Sequence, residues 1–224
     1  MAISIKFQLN ASLYTRDPQE TDLGRKIIQQ SILLMDRIGF EAFTFKALAN
    51  EIGSTEKSIY RYFSNKHLLL LFLTSWYWEW VHYLIDLNNT NIEDPHLKLK
   101  LTIRNIVLAN SENRLNEYVN ESILHRLIIN EGSKSYHTSM VDDENKVGLF
   151  LSYKSLVNKV AVLIREVRAD FPYAVSLASS LFDMANNQIY FAQHLPKMTD
   201  LSSQKGNEEE LIEMLEYFSF KLLS

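Results

Sequence analysis

The chain has 224 residues, 46% of them hydrophobic, with 6 Gly, 4 Pro and no Cys, and a formal net charge of −4 at pH 7. The apolar fraction supports a sizeable core, the scarcity of turn formers argues against a strand-rich fold, and the lack of cysteine excludes disulfides, thiolate metal sites and cysteine nucleophiles. Charge is unevenly spread: residues 1–75 hold 9 Lys+Arg against 7 Asp+Glu, whereas residues 76–224 hold 14 against 20. Only the N-terminal third therefore suits a polyanion.

Residues 1–20 show no sustained period and lack the basic start and apolar core of a secretory signal, so they read as a flexible arm, mobile or loosely docked, of a cytoplasmic protein. Thr21-Asp22 then offers an N-cap before a helical stripe of Leu23, Ile27, Ile28, Ile32, Leu34, Met35 and Ile38, which Gly39 ends. Thr44 caps a short second helix with Phe45, Leu48, Ala49 and Ile52 on its inner face, and Gly53 stops it. Ser54 or Thr55 caps a third helix through Phe63, with Ile59 and Phe63 turned inward.

A fourth helix is predicted from about Lys66 to Leu87. Its Leu68–Leu87 stretch is apolar, but Glu79 near the middle would be costly in a bilayer, so a buried helix is expected and not a membrane span. Pro95 opens a fifth helix, a sixth covers 113–130, and 132–145 reads as a loop in which Asp142-Asp143-Glu144 is solvated. Further helices follow at 146–169, 173–194 and 208–223, the last with acidic residues in its first turn. No sustained period-two segment argues for a sheet. The expected class is all-α, with a flexible arm at 1–20, a three-helix domain at 21–66, and a helical domain at 67–224 joined to it by the long fourth helix.

The informative segment is Gly39–Lys66, where two short helices meet at a tight turn containing Gly53, as a helix-turn-helix requires. With Ile59 and Phe63 inward, Thr55, Glu56, Lys57, Ser58, Tyr60 and Arg61 are left facing outward or sideways. These types suit groove readout and phosphate contact. The Thr44 hydroxyl and the amides behind it suit a phosphate, and Lys66 is placed to reach the flanking backbone.

Here the sequence resembles the tetracycline-repressor (TetR) family of bacterial regulators, from about Thr21 to Leu73. The resemblance rests on Gly39-Phe40, Thr44, Leu48-Ala49, Ile52-Gly53, Ser58-Ile59-Tyr60-Arg61-Tyr62-Phe63, Lys66 and the following Leu run. It implies a homodimeric regulator that binds a double-stranded DNA operator, usually as a repressor, and a C-terminal effector domain that a small molecule acts on. It places Thr44, Tyr60, Tyr62 and Lys66 at the DNA backbone and Glu56, Lys57 and Ser58 at the bases. It also implies dimer contacts through 173–194 and 208–223. Two departures bear on the operator: Lys57 stands where a small residue is common, and Glu56 puts a negative charge near the groove, to accept from cytosine or to pair with Lys57 or Arg61.

Each reading has a plainer counterpart. The aromatics of the fourth helix, among them Trp76, Trp80 and Tyr83, either pack a core or line an apolar effector pocket. The apolar stripes of 173–194 and 208–223 either fill the chain's own core or meet a second copy. Glu121 and His125, four apart, share a spacing that suits a metal, but two ligands without a third predict none. No glycine-rich phosphate loop and no Gly-x-Ser-x-Gly elbow occurs, so neither a cofactor nor an enzyme is expected. The alternative to a regulator is a helical protein-interaction module that retains a helix-turn-helix but does not regulate through DNA.

Overall fold

A computed structural model of the chain describes residues 5–110, 116–202 and 206–224. Among these residues the architecture is all-helical, with no strand element. The α-helices are α1 (Asp22–Ala42), α2 (Phe45–Ile52), α3 (Glu56–Tyr60), α4 (Lys66–Asn89), α5 (Pro95–Val107), α6 (Glu121–Glu131), α7 (Val141–Lys146), α8 (Leu151–Val167), α9 (Ala174–His194) and α10 (Glu208–Leu223). No helix among the described residues is long and apolar enough to cross a membrane.

The chain divides into two compact units, one from 1–79 and 110–152, the other from 80–109 and 153–224; α4 supplies residues to both. In the first unit, local chemistry sets the helix ends. Thr21, Thr44 and Thr55 sit in extended backbone, and each side chain accepts from an amide one turn on, at Gly24, Ala47 and Ser58. Gly39 adopts φ 77°, which interrupts α1 and leaves one further turn through Ala42. Gly53 (φ 66°) caps α2 in the left-handed region, where a Cβ is disfavoured. Ile27, Ile28, Ile32, Phe43, Leu48, Ile59 and Phe63 are buried and lock the three helices together, and Phe63 meets Phe72 of α4 edge to face at 5.4 Å.

The segment read from sequence as an arm is packed onto this unit from residue 5 onward. Leu13, Pro18 and Gln19 are buried. The Gln19 side chain accepts from the Phe7 amide (3.1 Å) and donates to the Phe7 carbonyl (2.8 Å), acting as a backbone partner would. Phe7 packs edge-on against Trp76 at 5.1 Å. The Ile5 carbonyl accepts from Asn116 and from the Tyr118 hydroxyl, and Asn10 donates to the Val147 carbonyl. Gly24 allows the close approach: a Cβ there would lie 2.2 Å from the Pro18 oxygen. We call residues 5–20 the strap.

Two boundaries differ from expectation. Of the helix expected over 113–130, residues 111–115 lie outside the described residues, and the helix starts only at Glu121. The Asn116 side chain accepts from the amides of Tyr118 and Val119, and the Asn120 side chain caps Ile123, so local side-chain bonds replace helical ones. Within the expected loop, Val141–Lys146 is helical, with three carboxylates in its first turn where the helix dipole favours them. Glu144 is not solvated: it is buried, and its Oε1 lies 2.7 Å from His67 Nε2.

In the second unit α5, α8, α9 and α10 enclose a core of Leu99, Ile103, Leu156, Val160, Ile164, Leu181, Phe182, Leu211 and Leu215. Ala178 and Ala185, both buried on α9, keep that face small enough for close packing.

Candidate nucleic-acid interface

The helix-turn-helix of α2 and α3 presents one polar surface. Ile59, fully buried, pins α3 from below, so Thr55, Glu56, Lys57, Tyr60 and Arg61 are exposed and Ser58 half-exposed. Thr55 and Ser58 share a hydrogen bond of 2.9 Å at the start of α3. The Tyr60 ring packs edge-on against Phe45 at 5.0 Å, which joins α3 to the beginning of α2, where Thr44 and Lys46 are exposed.

The cations near this surface fall into two groups. Lys6, Arg25 and Arg37 pair with Glu20, Asp22 and Glu51. Lys26 donates to the Ile52 carbonyl, which caps the end of α2. Among the described residues, Arg16, Lys46, Lys57 and Arg61 have no carboxylate within ion-pair distance. Such unneutralised charge, held on a rigid frame, is what a phosphate backbone binds. Glu56 likewise has no ion-pair partner among the described residues, so its charge also stays on the surface.

Two residues expected at DNA have work inside the domain. Lys66 Nζ donates to the carbonyls of Phe40 (3.0 Å), Glu41 (3.0 Å) and Phe43 (3.2 Å), which uses all three of its donors at the frayed end of α1. Tyr62 is 3% exposed, its hydroxyl lies 2.8 Å from Thr21 Oγ1, and the Arg16 guanidinium covers its ring at 5.6 Å from the centroid. Sequence reasoning missed Arg16, because nothing local marks it; its position depends on the strap.

The expected pocket aromatics of α4 are placed as follows. Trp76 is fully buried beneath Phe7 of the strap. Trp80 is buried, donating its indole N–H to the Ala109 carbonyl, and it stacks on the partly exposed Tyr83 at 5.8 Å. His125 Nδ1 lies 2.6 Å from the Tyr77 hydroxyl, both groups buried; burial pushes the His125 pKa down to about 4 and raises that of Tyr77. Glu121 accepts from the Asn116 amide, and burial raises its pKa. Among the described residues no three His, Asp or Glu side chains gather to hold a metal.

Most of the α9 and α10 stripes face the unit's own core: Ala174, Leu177, Ala178, Leu181, Phe182, Ala185, Leu211 and Leu215 are buried. A different face of the same helices stays open. Tyr173, Val175, Tyr217, Phe218 and Leu222 are exposed. Part of that face is an apolar groove of about 710 Å³ lined by Phe171, Tyr173, Leu177, Met184, Phe218 and Leu222, together with Arg168 and Lys221.

Comparison with known proteins agrees with this geometry. Residues 27–71 match the family described as bacterial regulatory proteins, tetR family, so the helix-turn-helix module of the chain is of that type. No curated protein sequence matches the chain. Among solved structures, a putative TetR-family transcriptional regulator from Syntrophomonas wolfei superposes with a TM-score of 0.65 at 17% identity, over 91% of this chain and 96% of its own. A tetR-family regulatory protein from Rhodococcus RHA1 gives 0.64 at 12% identity, over 91% and 98%. AibR, solved with isovaleryl coenzyme A and operator DNA, gives 0.59 at 14% identity, over 87% and 97%. At these identities the likeness is one of fold.

Proposed function

We propose that this protein is a DNA-binding transcription regulator that acts as a homodimer, a repressor that a small molecule releases from a near-palindromic operator. The observation that carries this reading is the exposed surface of α3: Thr55, Glu56, Lys57, Ser58, Tyr60 and Arg61 project from a helix pinned by Ile59, and among the described residues no carboxylate lies within ion-pair distance of Lys57, Arg61 or the neighbouring Lys46. A short helix bearing donors and unneutralised cations fits the major groove, with Lys57 and Ser58 at base edges and Thr44, Lys46 and Arg61 at phosphates. The structure of AibR with operator DNA and an acyl thioester supports reading the shared fold in this way.

A dimer supplies the second recognition helix. The open apolar face of α9 and α10, with Tyr173, Phe218 and Leu222 around its groove, is the surface we assign to a second copy, since a two-fold contact pairs one patch with itself. Two such helices about 34–36 Å apart meet successive turns of the duplex. Release by a ligand requires that it favour a conformer with another spacing. Within the first unit, α6 is bound to α1 by Arg126 with Asp36 (2.6 Å) and by the Phe40 amide with Glu131 (3.0 Å), so a shift of α6 is passed to the helix that carries the DNA-binding domain. In the second unit the Trp80–Tyr83 stack offers an apolar wall to a ligand.

The test is the salt dependence of binding to a labelled duplex, followed by fluorescence anisotropy. Affinity that falls linearly in log–log form with salt is expected from counterion release. Absence of any such slope, with the protein folded, would move the assignment to a protein-interaction module.

A further inference from the structure

We propose that the strap is part of the DNA-binding surface, and that Arg16 contacts a phosphate beside the recognition helix. The inference rests on the DNA-binding reading above and adds a residue that lies outside the helix-turn-helix.

Three observations converge on it. First, the strap is fixed on both sides of Arg16. On one side Leu13 is buried; on the other, Pro18 lies against Gly24 and Gln19 is bonded to Phe7. The amide of Thr15, the adjacent residue, donates to the Tyr62 carbonyl at 2.8 Å, which ties the strap directly to the end of the recognition segment. Arg16 is therefore held in place and does not sweep a volume at the end of a loose tail. A preplaced cation loses less entropy on binding than a mobile one.

Second, Arg16 takes over a position that Tyr62 cannot serve. The Tyr62 hydroxyl is engaged with Thr21 and its ring is buried. What this corner offers to solvent is the guanidinium that covers the ring. The ring contact holds the guanidinium at this corner, and a guanidinium edge matches a phosphate in a two-pronged contact.

Third, the local charges leave Arg16 available. The acidic side chains that follow it have other partners: Asp17 accepts from the Gln19 amide, Glu20 pairs with Lys6, and Asp22 pairs with Arg25. Among the described residues Arg16 joins Lys46, Lys57 and Arg61 as cations near the helix-turn-helix with no carboxylate within ion-pair distance, and it comes from the strap.

The experiment uses the full-length chain and a labelled random-sequence duplex, titrated at several potassium chloride concentrations. The variants are Arg16→Gln, Arg16→Lys and, as a control of equal charge change, Lys197→Gln on the exposed turn after α9. Losing one phosphate contact lowers the log–log slope by about 0.9. R16Q removes one such contact from each protomer of the dimer, so a fourfold rise in salt should cost the wild type about 12-fold more affinity than R16Q, whatever the duplex sequence. R16K should recover most of the slope, and K197Q should match the wild type. If the wild type shows a slope and R16Q keeps it unchanged, the strap is not at the DNA and the helix-turn-helix reading stands alone. A slope lost equally in K197Q would mean general charge and not a contact, which also overturns the assignment. A wild type without any slope would remove both readings.

Discussion

The ammonium group of Lys66 sits 3.0 Å from the carbonyl oxygen of Phe40 and makes two further bonds, to Glu41 and Phe43, at the end of α1. One side chain at the start of α4 thus donates to carbonyls at the end of α1, where the chain leaves the helix. It holds α1, the turn into α2 and α4 in one frame. Removing it should act on stability before it acts on DNA. Lys66→Met, which keeps the apolar stem, is expected to lower unfolding free energy by about 2–3 kcal/mol in urea titration, the range for lost bonds to a charged donor. An unchanged midpoint with a reduced salt slope would instead return Lys66 to the phosphates.

Gly24 and Pro18 give the strap its own test. In Gly24→Ala the new Cβ would meet backbone 2.2 Å away, so the strap must move. The expected result is faster proteolysis within residues 5–20, with α1 still folded by circular dichroism. Unaltered cleavage would show that the strap accommodates the methyl group without leaving its seat.

Burial of His125 makes stability depend on pH with a definite sign. Its pKa is lowered from an ordinary 6.5 to about 4, so between these values the unfolded chain binds a proton that the folded one refuses. The neutral imidazole's contribution is therefore complete above pH 6.5 and is lost as pH falls toward 4, by at most about 3 kcal/mol. Glu121 acts in the opposite sense: its raised pKa makes burial costlier as pH rises above its ordinary value of 4.5. Urea midpoints measured from pH 7 to pH 5 should fall in the wild type and fall less in His125→Gln. Parallel curves would contradict the assignment.

The open face of α9 and α10 predicts an association that one charge disrupts. Phe218→Glu puts a carboxylate on the apolar groove, and a central aromatic contact of this kind is worth about 2 kcal/mol or more, roughly thirtyfold in Kd. Sedimentation at micromolar concentration should show a dimer for the wild type and a shift toward monomer for the variant. A wild type that sediments as a monomer would remove the second copy from the proposal.

How much of this was legible in the sequence depended on range. The caps at Thr21 and Thr44 and the left-handed turn at Gly53 are local, each bonded within one turn, and they read from residue type alone, while of Ser54 and Thr55, both open from sequence, Thr55 is the cap. The buried face of Ile59 and Phe63 follows from their spacing. The strap did not read, because Phe7, Leu9 and Leu13 have no period and their partners are remote: Trp76 for Phe7, Asn116 and Tyr118 for Ile5, Val147 for Asn10. The same distance hid the role of Lys66, whose acceptors lie more than twenty residues upstream. At 116–120 the polar side chains won the local competition for amides, which an apolar stripe cannot reveal. On α9 and α10 most of the stripe packs into the unit's own core, while Phe218 and Leu222 of the same stripe are exposed at the open apolar face, a division that spacing alone does not reveal.

The most direct measurement is selection from a random-duplex pool at near-physiological salt, with the retained molecules sequenced. The expected result is a near-palindrome whose half-sites are about one or more helical turns apart, and a changed half-site preference when Lys57 or Ser58 is replaced by Ala. Retention of no sequence above background by the folded, ligand-free protein would contradict the claim that α3 reads DNA.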